Sequence, residues 1–193
     1  MCDSKDSDLL LLDRWREGDA RAGNALCRRH ERAMTRYFEV KVTPSDVPDL
    51  VQRTWLAATG VFQQRGREVK SVRAYLFGIA RHILLEYIGH RRQGSFDPMV
   101  DSLTSIDPTL SSQLFVKRRI EWLDLAISSL PIELHLLVEA RRAGLRGPEL
   151  AEMFVIPEGT VRSRMARALH LLQQMAAPIT GVDLGLDPPH GVA

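Results

Sequence analysis

Apolar residues recur along this chain at the three- and four-residue spacing of amphipathic helices, and no segment shows sustained period-two alternation. The strongest pattern runs from Val72 to Arg92, where Val72, Tyr75, Leu76, Ile79 and Ile83 keep a seven-residue repeat. Such periodicity indicates a helix with one buried face. The pattern therefore predicts an all-α protein, with further helices over 9–16, 19–42, 47–60, 113–127, 131–142, 148–154 and 157–175.

Two stretches interrupt the helical pattern and suggest how the chain is organised. Residues 94–112 contain two Asp-Pro pairs, three aspartates and no lysine or arginine, which is typical of an extended, anionic linker. Residues 177–193 are rich in Gly and Pro, which favours a disordered tail. We predict two small helical domains, 1–93 and 113–176, joined by a flexible linker at 94–112.

The net charge, the two cysteines and the short apolar run limit the kinds of binding site that the chain can carry. The 193 residues carry a net charge of only +2, so any nucleic-acid contact must come from local basic patches. Cys2 and Cys27 form neither a disulfide framework nor a metal-binding spacing, and we expect no metal and no cofactor. The Leu9–Leu12 run is too short for a signal sequence or a membrane span, so the sequence predicts a cytoplasmic protein without membrane insertion.

The segment from 144 to 170 has the pattern of two short helices joined by a tight turn. Pro148 and Glu149 suit the first turn of one helix, and Pro157 with Glu158 opens the next. In the second helix the apolar residues share one face, and small and basic residues lie opposite, namely Gly159, Thr160, Ser163 and Arg167. Arg162 and Arg164 lie on the flanks of that opposite face. A major-groove recognition helix needs such a face, although an ordinary solvated arginine face has the same periodicity.

The letters of this segment are more specific than its periodicity. IPEGTVRSR at 156–164, preceded by ELAE at 149–152, resembles the C-terminal helix-turn-helix of bacterial extracytoplasmic-function (ECF) sigma factors of the sigma-70 family. The resemblance implies recognition of the upstream (−35) promoter element by Arg162, Ser163 and Arg167. Thr160 and Arg164 would contact phosphates.

Upstream, DVPDLVQRTWL at 46–56 resembles the family's DAEDLVQETFL stretch, which docks on core RNA polymerase. This likeness implies polymerase contacts by Asp49, Leu50, Gln52, Arg53 and Trp55. One turn separates Asp49 from Gln52, so both lie on one exposed face. For Leu50 and Trp55, simple core packing is an equally consistent interpretation.

RAYLFGIARH at 73–82 resembles the family helix that recognises and opens the −10 element. By this resemblance Lys70 and Arg73 would hold the DNA backbone, and Arg81, His82, Arg91 and Arg92 would contact phosphates. Residues 63–71 correspond to the loop that receives a flipped base. Tyr75 and Tyr87 could stack on bases, but their spacing favours burial.

The family likeness covers roughly residues 9–175 and implies a non-enzymatic factor that directs core polymerase to promoter DNA and is masked by an anti-sigma partner. Three positions depart from the family pattern: Arg53 replaces an acidic residue, Val155 replaces the glycine of the turn, and His82 replaces an asparagine. A β-branched residue is costly at positive φ, so the turn at Val155 is either strained or built differently.

Three other classes of function fit parts of the sequence. A helix-turn-helix regulator could bind DNA without polymerase, usually as a dimer. A helical protein-interaction adaptor could carry an incidental arginine face. An enzyme fits least, because the histidines and carboxylates form no acid–base or metal constellation and no glycine-rich phosphate loop is present.

Overall fold

The computed structural model describes residues 4–39, 41–64, 66, 68–91, 96–103 and 122–176. Within these ranges the chain forms eight helices and no strand, and an isolated bridge joins Ser102 to Pro131. The all-α class predicted from the periodicity is confirmed. The chain divides into two compact units between His90 and Arg91.

The N-terminal unit contains four helices, α1 (Ser4–Arg16), α2 (Ala20–Glu39), α3 (Val47–Phe62) and α4 (Val72–Arg91). Asp19 caps the start of α2, because its Oδ1 accepts hydrogen bonds from the backbone N–H groups of Arg21 and Ala22 at 2.9 and 3.2 Å. Apolar side chains from all four helices form the core, among them Leu12, Leu26, Met34, Phe38, Leu50, Phe62, Leu76 and Leu84.

A buried acidic residue joins the first two helices. Asp8 is 3% exposed, and its carboxylate accepts hydrogen bonds from Arg29 Nη1 at 2.6 Å and lies 2.8 Å from His30 Nε2. Burial raises the pKa of Asp8, but the bonds from His30 and Arg29 outweigh that effect, so the pKa lies below its ordinary value. The ion pair therefore compensates for the desolvation of this carboxylate.

The C-terminal unit contains α5 (Trp122–Ser128), α6 (Ile132–Arg142), α7 (Gly147–Phe154) and α8 (Glu158–Ala176). Helix α6 is central, since every residue from Ile132 to Val138 is buried. A core cluster joins it to α5 and α8 through Ala126, Ile127, Leu130, Leu134, Val138, Ala168 and Leu172.

The turn between α7 and α8 is strained. Val155 ends α7 in the left-handed region at φ 55° and ψ 46°, and it is the single non-glycine residue with positive φ in the described ranges. Its N–H and that of Ile156 satisfy the last carbonyls of α7. The turn keeps the geometry that a glycine would adopt freely, and valine occupies it at a conformational cost.

Part of the predicted linker pairs with α6. Asp97 accepts backbone hydrogen bonds from Val100 and Asp101, so residues 97–101 form a turn where the sequence predicts an extended chain. The carbonyls of Asp101 and Pro98 then accept the N–H groups of Ile132 and Glu133 at 2.8 and 3.0 Å. This segment therefore satisfies the orphan donors at the start of α6. Its role has no local sequence signature. The predicted linker residues 94, 95 and 104–112, residues 113–121 of the next predicted helix and the tail 177–193 lie outside the described residues.

Among the described residues, no helix is both long and apolar enough to cross a membrane.

Candidate polymerase and nucleic-acid interfaces

Helix α3 presents one continuous exposed face. Asp49 and Gln52 are exposed on it, as predicted from their spacing. Leu56, one turn beyond Gln52, is 74% exposed on the same face. A single exposed leucine is ordinary on a protein surface, and Leu56 is of interest because it lies beside the residues predicted to dock on polymerase. Leu56 ends the 46–56 segment and is not among the residues that the family likeness predicts to dock.

Leu50 lies on the opposite side of α3, in the core. It is 1% exposed, so its side chain is covered by the core of the unit. Of the two interpretations left open for this residue, the burial favours core packing. Trp55 is half-buried and keeps part of its surface available.

The charge reversal at Arg53 has a local explanation. Arg53 Nη2 lies 3.2 Å from Glu86 Oε2 of α4, and both side chains are about two-fifths exposed. An exposed pair of this kind contributes less than about 1 kcal/mol. Glu86 thus supplies an opposite charge to the arginine that replaces the family's acidic residue. The ion pair also engages part of the guanidinium that the family likeness assigns to polymerase contact.

Asp46 and Tyr87 have a structural role at the start of α3. The hydroxyl of Tyr87 donates to Asp46 Oδ2 at 2.6 Å, and Thr43 donates to the same oxygen at 2.5 Å. Tyr87 is half-buried by this contact, which agrees with the burial favoured by its spacing. Tyr75 is also half-buried and packs against Phe62, with ring centroids 5.6 Å apart.

The residues predicted to contact the −10 element do not share one face of α4. Arg73 and Arg91 are separated by five full turns and lie on one side, whereas His82 lies midway along the opposite side. Lys70, His82 and Arg91 are exposed, while Arg73 is half-buried with its guanidinium 5.9 Å from the Phe77 ring centroid. Arg81 is half-buried and engaged within the protein. Arg92 lies outside the described residues.

Helix α8 brings together the residues predicted to recognise bases. Arg162, Ser163 and Arg167 are all exposed on one side, together with Gly159, which admits close approach. Ser163 donates its hydroxyl to the Thr160 carbonyl at 3.1 Å, so rotation of this hydroxyl would free it for a ligand. The face lies at the start of a nineteen-residue helix, where the N–H groups favour anions.

Arg164 is separated from that face by an ion pair with α6. Its Nη1 lies 3.6 Å from Glu133 Oε2, with the arginine side chain 25% and the glutamate side chain 4% exposed. A buried carboxylate strongly favours a nearby cation, because an uncompensated charge in the interior is costly. Glu133 lies thirty-one positions from Arg164 in the sequence, and no local pattern predicts the pair.

The described residues contain no group of three or more His, Cys, Asp or Glu side chains that could hold a metal ion. The ion pairs named above connect helices.

Comparison with known proteins gives whole-chain similarities. No family model matches the sequence. The chain is 28% identical to the ECF RNA polymerase sigma-E factor of Haemophilus influenzae over 197 aligned positions, which cover 90% of this chain and 97% of that protein. It is also 28% identical to the protein of the same name from Escherichia coli K12, with 90% and 96% covered.

A solved structure has a similar fold. The structure of CnrH in complex with the cytosolic domain of CnrY matches with a TM-score of 0.64 and 21% identity, covering 90% of this chain and 99% of CnrH. The coverage shows that the likeness of fold extends over most of the chain, rather than over one shared motif.

Proposed function

We propose that this chain is an RNA polymerase sigma factor of the ECF type, which acts in the cytoplasm and directs core polymerase to specific promoters. The observation that carries the proposal is the similarity to named ECF sigma factors over 90% of the chain and nearly all of theirs. Two helical units and an exposed basic face on α8 support it. Such a factor has no catalytic chemistry of its own.

In this proposal the N-terminal unit docks on core polymerase through α3. The contact surface comprises Asp49, Gln52, Leu56 and the exposed part of Trp55, with Arg53 at its edge. Leu56 supplies the apolar anchor, because burying one leucine side chain contributes about 1.5–3 kcal/mol. The polar neighbours would fix orientation.

A direct test compares two exposed leucines of this unit. Leu56→Arg is expected to weaken binding to core polymerase by at least tenfold, about 1.4 kcal/mol. Leu10→Arg on α1 is the matched control, since Leu10 is 63% exposed and lies outside the proposed surface. Both substitutions are at exposed sites, so both variants are expected to fold. Equal binding by the two variants would contradict this docking surface, and a wild-type chain without affinity for core polymerase would favour a regulator that acts on DNA alone.

We further propose that α8 recognises the −35 element. Arg162, Ser163 and Arg167 would contact base edges, because their side chains are exposed together at the start of the helix. Thr160 is half-buried and would contact a phosphate. Arg164 would contact a DNA phosphate and not a base, because its pair with Glu133 holds its guanidinium away from the base-contacting side chains.

The expected effect of Arg167→Ala is a loss of about 1–3 kcal/mol at the −35 element, through one base contact. Gln173→Ala is the control, since Gln173 is exposed on the same helix but about a turn and a half further along. Promoter-binding titrations of the two variants measure the difference. An unchanged curve for Arg167→Ala would remove this arginine from the recognition set.

Recognition and opening of the −10 element would fall to the N-terminal unit. Lys70, His82 and Arg91 are exposed and would contact phosphates, whereas Arg73, Arg81 and Tyr75 are half-buried. The half-buried side chains would contribute less to direct DNA contact. Arg92 is retained as a phosphate contact on the family likeness alone.

An inhibitory partner is also part of the proposal. CnrH, which has a similar fold, was solved in complex with the cytosolic domain of CnrY. We propose that this chain is likewise masked by an anti-sigma protein, which would compete with core polymerase for the α3 surface. Competition between such a protein and core polymerase for the wild-type chain tests this step.

A further inference from the structure

Four arginines form a row along the exposed side of α2. Arg21, Arg28, Arg32 and Arg36 are all exposed, and their spacing of seven, four and four residues places them within about 80° of one another around the helix. From first to last the row extends over fifteen residues, or about 22 Å at about 1.5 Å per residue. We call this row the α2 stripe.

None of the α2 stripe arginines is in an ion pair with a described residue, although Glu31 and Glu39 lie on the same helix. Elsewhere in the same unit, Arg14, Arg29 and Arg53 each form an ion pair with a carboxylate. By contrast, none of the four stripe side chains forms a hydrogen bond or an ion pair with any described residue. Their positive charge therefore faces solvent.

This arrangement does not stabilise the helix. Arg28, Arg32 and Arg36 are successive i,i+4 neighbours, and each like-charged pair of this kind costs about 0.2–0.5 kcal/mol. Three cations in register are thus unfavourable for the isolated fold. They become favourable when an external anion lies along them.

Within the N-terminal unit, α2 carries more exposed arginines than α1, α3 or α4 does among the described residues. The exposed side of α4, by comparison, carries His82 beside Glu86, and its arginines lie at the helix ends or half-buried. The whole chain has a net charge of only +2, so the stripe is a local excess and not part of a uniformly basic surface.

A phosphate backbone fits this surface better than a folded protein does. Protein interfaces have an apolar centre, but none of the exposed large hydrophobic residues lies on α2. Arginine binds phosphate by paired hydrogen bonds, and a row of about 22 Å matches roughly six base pairs of duplex. We propose that the α2 stripe binds the sugar–phosphate backbone of DNA without sequence preference.

The proposal deepens the proposed function, since a sigma factor would use the stripe as an additional, sequence-independent grip on promoter DNA. It differs from the −35 and −10 contacts, because it involves neither α8 nor α4. In a full initiation complex the α2 stripe would increase the affinity for DNA of any sequence and make that binding more sensitive to salt.

The test is a salt titration of the full chain on random-sequence duplex DNA. Arg28→Gln/Arg32→Gln removes two phosphate contacts and is expected to lower the slope of log K against log salt by about 1.8. When the salt is raised from 50 to 200 mM, the double variant is therefore expected to lose about twelvefold less affinity than wild type loses. The four-site glutamine variant is expected to lower the slope by about 3.6.

The matched control is Arg14→Gln/Arg142→Gln, which removes the same charge from two arginines already in ion pairs. A slope that falls equally in this control and in the stripe variants would overturn the proposal, as would a wild-type chain that does not bind random duplex. Thermal melts are expected to show the stripe variants at least as stable as wild type, because the i,i+4 repulsion is removed. Failure of the sigma proposal is seen separately, in the core-polymerase binding of the unsubstituted chain.

Discussion

Replacing Val155 by glycine tests the strained turn between α7 and α8. The residue has φ 55° and ψ 46°, where a side chain with a Cβ costs about 1–2 kcal/mol relative to glycine. Its side chain is 88% exposed, so its removal forfeits little apolar burial. Glycine also has a larger conformational entropy in the unfolded state, which lowers the free energy of unfolding by about 0.5–1 kcal/mol and opposes the relief of strain. We expect Val155→Gly to raise the free energy of unfolding by about 0.5 kcal/mol, from the difference of these terms.

The control is the same substitution at an ordinary backbone position. Val100 is 72% exposed, belongs to the same unit and does not have positive φ. Val100→Gly carries the entropy cost without relief of strain, so the two variants are expected to differ by about 1–2 kcal/mol. For a domain of this size that difference shifts the melting temperature by about 4–16 °C, measured by circular dichroism. Equal destabilisation by the two substitutions would refute the strain at Val155.

Two further predictions concern the N-terminal unit. A Cβ at Gly23 would lie 2.6 Å from the Trp15 indole, so Gly23→Ala is expected to cost about 1–3 kcal/mol in urea unfolding. Gly60→Ala in α3 meets nothing within 4 Å and is expected to stabilise by up to about 1 kcal/mol, so equal effects would contradict the packing. The folded-state pKa of Asp8 is lowered, in part by His30, so its contribution to stability is present above about pH 4 and lost as the pH falls through that pKa. The free energies of unfolding of wild type and Asp8→Asn are to be measured by denaturation from pH 7 to pH 3. The excess stability of wild type is expected to shrink in acid, and a difference that stays constant with pH would exclude this ion pair as its source.

Helices and their ends were largely predictable because they depend on local chemistry. The apolar repeat that begins at Val72 and the side-chain cap at Asp19 each depend on residues only three or four positions apart. The structure has helices at both places. Val155 was recognised as a departure, since a valine in place of a turn glycine is a local anomaly. The structure decides between the two outcomes, because the left-handed geometry is kept.

Features that depend on distant residues were not predictable. Leu50 and Leu56 have the same chemistry, and only packing against the other helices buries one and exposes the other. The pair between Arg164 and Glu133, and the carbonyl of Asp101 that accepts the N–H of α6, join segments far apart in the sequence. A single sequence has no periodicity that reports such contacts. The assignment of the two units to polymerase and promoter elements stays a prediction.

Run-off transcription with purified core polymerase tests the central claim most directly. Core enzyme supplied with this chain is expected to initiate at discrete start sites on a genomic template library, with common sequence elements upstream, whereas core enzyme alone is not. If the purified chain, free of any bound inhibitor, gives no initiation above core enzyme on any template, the proposal that it is a sigma factor is contradicted.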